Sequence, residues 1–109
     1  MTEGSERIAL SEAVFYILLS LYSPLHGYGI MQNVRAISNE RVNLGAGTLY
    51  GAINTLLERY WIESAGSDQD SRKKEYVITP LGKAIVDGEI NRLEELLANG
   101  RRITGRGQA

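Results

Sequence analysis

Glycines at 45, 47 and 51 stand where a chain could hold phosphate. Backbone N–H groups at a helix N-terminus point at anions, and glycine lets the anion come close. The spacing is G-x-G-x-x-x-G, whereas a dinucleotide fingerprint needs G-x-G-x-x-G after a strand, with an acid about 20 residues on. No lysine follows to make a Walker loop. The same stretch, LGAGTLYGAINTLLERYWI (44–62), has a second reading: it opens a helix that meets the phosphates and base edges of DNA. Glycine inside an exposed helical face costs about 1 kcal/mol, so Gly51 is either tolerated or kept for close approach of something bulky.

The remaining reactive side chains build nothing catalytic. Asp68 and Asp70 begin like a calcium loop, but the sixth and twelfth positions are Lys73 and Thr79 instead of glycine and glutamate. His26 stands alone among histidines and orders the turn into a helix. The serines lack a nucleophile-elbow context. With no cysteine and one histidine, thiolate and multi-histidine metal sites are excluded within one chain, and no cofactor is expected. Arg72, Lys73 and Lys74 form a short cationic run, read as a solvated turn or as a contact to phosphates.

These residues need elements to position them. The chain has 109 residues, 43% hydrophobic and 23% charged, with a formal net charge of -1. That is one ordinary globular domain without a global pull toward nucleic acid, so any positive surface must be local. The longest apolar run, 13–19, is shorter than the roughly 18 residues that span a bilayer, and its flank has the wrong charge for a signal peptide. A cytoplasmic protein without membrane contact is expected.

Glu6 to Tyr22 reads as a helix that is apolar on nearly every side and ends at Ser23-Pro24. LHGYGIMQNVRAIS starts a second helix. A third runs from Ala46 to Arg59, with Leu49, Ile53, Leu56, Leu57 and Tyr60 as its apolar stripe. Opposite lie Gly47, Gly51, Asn54 and Glu58, flanked by Thr48, Tyr50 and Thr55. WIES and KEYVIT alternate like the strands of a hairpin. Thr79-Pro80 then caps a last helix, threonine as N-cap and proline at the first position. It carries Val86, Ile90, Leu93 and Leu97 at 4-3-4 spacing and runs to about Gly100. The fold class is mainly α with a small β-hairpin: a winged helix-turn-helix over 1–80, a C-terminal dimerisation helix over 81–103 and a disordered tail over 104–109.

PLHGYGIMQNV, LGAGTLYGAINTLLERYWIE and SRKKEYVITPLGK together resemble the signature blocks of PadR-type transcriptional regulators, in order and across about residues 10 to 100. The chain is similar to the short subfamily with a single C-terminal helix. The resemblance implies a dimeric winged-helix repressor with its first and last helices in the dimer interface. It also implies, for some members, a small-molecule effector such as a phenolic acid or a planar drug. Drug-sensing relatives stack the ligand on a tryptophan of the last helix. This chain has no aromatic residue over 81–103 and its only tryptophan is Trp61, so Phe15 and Tyr16 are the aromatic residues for any effector cavity.

The two readings converge on double-stranded DNA as partner and a homodimer on a palindromic operator. Gly47, Thr48, Tyr50, Gly51, Asn54 and Thr55 would face DNA from the third helix. Asparagine pairs with adenine edges, and threonine meets the thymine methyl or a phosphate. Tyr28 and Gln32 on the second helix, with Arg72, Lys73 and Lys74 on the wing, would contact phosphates. Val14, Ile17, Leu18, Val86, Ile90, Leu93 and Leu97 would pair two subunits. The alternative is a winged-helix module that binds protein. Arg35, Arg41, Arg59, Arg72, Lys73 and Lys74 are matched in number by Glu40, Glu58, Glu63, Asp68, Asp70 and Glu75 in the same segment.

Overall fold

In a computed structural model of the chain, residues 8–68 and 73–105 are described, with the side chains of Ser67, Asp68 and Lys73 left aside. The elements run α1 (Glu12–Ser20), β1 (Leu25–His26), α2 (Gly27–Ile37), α3 (Ala46–Glu58), β2 (Ile62–Asp68), β3 (Lys73–Ile78) and α4 (Pro80–Thr104). Three helices, a wing and a long last helix make a winged helix-turn-helix.

Local chemistry sets most of these boundaries. Ser11 caps α1, its side chain accepting from the Val14 N–H at 3.1 Å. The helix therefore starts at Glu12, later than its apolar pattern implied. His26 caps α2 through Nδ1, which accepts from the Gly29 N–H at 3.1 Å. After α2, Asn39 and Glu40 both adopt positive φ, 55° and 66°. Buried Ser38 secures the connection, accepting from the Val42 N–H at 2.9 Å. Tyr60 turns the chain out of α3 at φ 62° and is 75% exposed. It stands outside the apolar stripe the sequence suggested, because a left-handed residue no longer follows the helical wheel.

The hairpin gains a third strand. The sheet order is β1-β3-β2, all antiparallel, with Leu25 opposite Tyr76 and Ile62 opposite Ile78. A bulge between Ser64 and Gly66 bends β2, and Gly66 sits at φ 100°, a region open to glycine.

Thr79 joins wing to α4. Its Oγ1 accepts from the Gly82 N–H at 3.0 Å and donates toward the carbonyls of Tyr60 (2.7 Å) and Trp61 (3.0 Å). A Cβ on Gly82 would strike the Trp61 carbonyl and come within 2.7 Å of Ile78 Cγ1, so only glycine fits this crossing.

The core takes Ile17, Leu18 and Leu21 from α1 and its end, Ile30 and Val34 from α2, Leu49, Ile53 and Leu56 from α3, and Trp61, Ile62, Tyr76, Ile78 and Val86 around them. Ile17, Leu18 and Val86 are thus consumed inside the subunit. A second chain has no access to them, which corrects their assignment to a dimer interface. Only the first part of α4 joins this core. From Leu93 to Gly105 every residue is exposed, so the helix projects beyond the body. Thr104 closes α4 and Gly105 caps it at φ 77°; 106–109 lie outside the described residues.

Candidate nucleic-acid interface

Helix α3 divides cleanly. Leu49, Ile53 and Leu56 are almost fully buried, while Gly47, Thr48, Gly51, Asn54 and Thr55 are exposed on the other side. Ideal Cβ atoms built on Gly47 and Gly51 meet nothing within 4 Å. The fold therefore does not require glycine at either position. The Asn54 side chain makes no hydrogen bond among the described residues, so its carboxamide is free for an external partner. The Thr55 hydroxyl is partly engaged, donating to the Gly51 carbonyl at 3.2 Å.

Tyr28 (59% exposed) and Gln32, one turn apart, share an exposed face of α2. Tyr50 is 44% exposed, yet its ring covers Gly27 at the start of α2. On the wing, Lys74 is exposed and lies opposite Ser67. Lys73 lies opposite Asp68 in the backbone register, and Arg72 falls outside the described residues.

The other described cations of this unit, Arg35, Arg41 and Arg59, have partners within the chain. Arg35 pairs with Glu40 at 3.6 Å, Arg41 bonds Glu12, and the Arg59 guanidinium lies 5.2 Å from the Trp61 ring centroid. The exposed face of α3 is polar and carries no cation; its one charge is Glu58, exposed at the C-terminal end. Among the described residues, Lys74 on the wing is the exposed cation of this unit without an ionic or ring partner.

A separate cleft of about 270 Å³ lies between α1 and α4, lined by Leu10, Glu12, Phe15, Tyr16, Glu89, Arg92 and Leu93. The structure thus brings Phe15 and Tyr16 to one wall, ring centroids 6.1 Å apart. Half-buried Val14 packs against the core instead. Sequence reasoning missed Glu89 and Arg92 at this cleft. Glu89 is 2% exposed, and the signal for it was its place within the apolar spacing of Val86, Ile90 and Leu93. Hydrogen bonding from Arg92 holds its carboxyl below the usual glutamate range, against the opposing effect of burial and with help from the Leu10 N–H. Among the described residues no cluster of histidine, cysteine or carboxylate could hold a metal ion, and no helix is long and apolar enough to cross a membrane.

Residues 14–87 match the model of the transcriptional regulator PadR-like family, well over half of the chain. An uncharacterized 37.1 kDa protein in transposon TN4556 of Streptomyces fradiae is 29% identical over 87 residues, covering 79% of this chain. The chain spans about a quarter of that relative's length, 24%. Among solved structures, a transcriptional regulator from Clostridium thermocellum superposes with a TM-score of 0.67 at 22% identity, covering 89% of this chain and 92% of that one. A PadR family transcriptional regulator from Eggerthella lenta gives 0.64 at 23% identity over 80% and 75%. The winged-helix DNA-binding protein F93 from STIV gives 0.52 at 17% identity over 84% and 87%. At these identities the structural likeness establishes the winged-helix fold.

Proposed function

The chain belongs to the PadR-like family of transcriptional regulators, and from that membership we propose that it works as a homodimeric repressor on a palindromic operator. It is a DNA-binding regulator and not an enzyme. The observation that carries the finer reading is the exposed face of α3. Thr48, Gly51, Asn54 and Thr55 stand in solvent, with two glycines whose side-chain space is empty. A polar face of this kind, uncharged from Gly47 to Thr55, reads base edges and methyl groups, and the wing lysines supply the phosphate contacts.

The dimer proposal rests on α4. Ile90, Leu93, Leu96 and Leu97 are 39–53% exposed on the projecting part of the helix, where a second copy would cover them. A twofold pair places two α3 helices about 34–36 Å apart, one turn of DNA. The cleft beside Phe15 and Tyr16 opens next to the same surface, and an aromatic effector held there would release the repressor by changing how the two copies meet.

Binding of the full chain to DNA upstream of its own gene, across a salt series, tests this reading. A steep salt slope and protection of two half-sites one turn apart are expected. A chain that binds no DNA at low salt but captures a defined protein would favour the protein-binding alternative.

A further inference from the structure

The blocks HGY, GTLY and KEYVIT meet at one point. Gly27 opens α2, Tyr50 lies in the second turn of α3, and Tyr76 on β3 pairs with Leu25 just before Gly27. A Cβ on Gly27 would overlap the Tyr50 hydroxyl and stand 2.6 Å from its Cζ and 3.2 Å from its Cε1. Gly27 is buried, has no positive φ, and so needs no special backbone freedom. What excludes a side chain there is the Tyr50 ring. Gly47 and Gly51, on the same helix as Tyr50, have empty surroundings, so the exposed face of α3 makes no such contact. Tyr76 belongs to the same cluster: burial, and then the nearby Tyr50, push its phenol above the ordinary tyrosine range.

We propose that Tyr50 is a positioning residue that sets the angle between α2, α3 and the wing by packing on Gly27, and does not itself read the operator. The inference rests on the DNA-binding reading of α3. A reading helix must be held within about 0.5 Å and 10–20° to place its side chains on base edges. The stripe of Leu49, Ile53 and Leu56 holds α3 to the core; the Tyr50 ring on Gly27 holds its tilt against α2. Loss of the ring leaves the helix formed and its angle loose. Base readout depends on that angle, whereas sequence-independent binding depends on phosphate charge.

The test compares Tyr50→Phe, Tyr50→Ala, Gly27→Ala and the double variant Gly27→Ala/Tyr50→Ala in the full chain. Operator affinity, affinity for unrelated DNA and thermal unfolding are read for each. Tyr50→Phe keeps the ring and should hold the operator-to-unrelated ratio near wild type. Tyr50→Ala should lower that ratio about tenfold or more, with binding to unrelated DNA retained. Gly27→Ala displaces the ring and should do the same. The double variant should be no worse than Tyr50→Ala, because the clashing partner is gone. A Tyr50→Phe loss equal to that of Tyr50→Ala would make the hydroxyl a DNA contact and overturn the proposal, as would a wild-type ratio in Tyr50→Ala or additive losses in the double variant. If Gly27→Ala does not fold, the two Tyr50 variants decide. Wild-type chain that binds no DNA overturns the reading of α3 itself, a result separable from any difference among variants.

Discussion

Glu89 and Arg92, three residues apart on α4, form a two-point ion pair beneath the cleft between α1 and α4. Nε donates to Oε1 at 2.7 Å, and the second guanidinium contact reaches Oε2 at 2.8 Å. The same Oε2 accepts from the Leu10 N–H at 3.2 Å. One buried carboxylate thereby ties the segment before α1 to the last helix, and its pairing decides whether burial is tolerable.

Acid should loosen this tie. A carboxyl whose folded value lies below its unfolded value adds stability that is complete above the ordinary glutamate range and is lost as pH falls through the lowered value. Glu89 is such a group. Thermal unfolding of wild type should therefore fall on acidification, and Glu89→Gln should show a shallower fall from a lower neutral starting point. Arg92→Met leaves the buried carboxylate without its main partner and should lower the melting temperature at neutral pH. Parallel pH profiles for wild type and Glu89→Gln would remove Glu89 from the account.

The wing should act through charge alone. Lys74 is exposed and without an ionic partner among the described residues. Replacing Lys73 and Lys74 with alanine should weaken binding to operator and unrelated DNA alike. Each lost phosphate contact should flatten the salt slope by about one unit. An unchanged slope in a titration of the double variant takes the wing out of the interface.

The reading face should behave differently. Asn54→Ala removes an exposed amide and should cost roughly 1–3 kcal/mol at the operator, with the melting temperature held. Gly51→Leu finds empty space within the chain, so it should fold at least as well as wild type while blocking approach of DNA. Lost binding together with a lowered melting temperature would assign these residues to the core instead.

Assembly should depend on the far part of α4. Leu93 and Leu97 are 41% and 53% exposed, so glutamate at both positions leaves the subunit core intact. Like charges facing across a twofold seam should yield a folded monomer that no longer binds a palindromic site. Light scattering is the check: a double variant still dimeric and still bound to operator would place the interface elsewhere.

Local chemistry made much of this protein legible in its sequence. The Thr79-Pro80 cap, the apolar spacing of Leu49, Ile53 and Leu56 and the alternation in KEYVIT each depend on neighbours a few residues away. The order of elements, the reading helix and the wing follow from them. What the tertiary structure alone decided involves partners far apart in the chain. The two residues of β1 are too few to signal a strand until β3 supplies their hydrogen bonds. Ile17 and Leu18 face the subunit's own core because α2, α3 and the sheet close over that side of α1, a choice that an all-round apolar helix leaves open. Glu89 falls within the apolar spacing of Val86, Ile90 and Leu93, but it is buried because α1 and the segment before it pack across α4. Gly27 stands in the HGY block at the start of the second helix; its close contact with a tyrosine 23 positions later exists only once two helices touch.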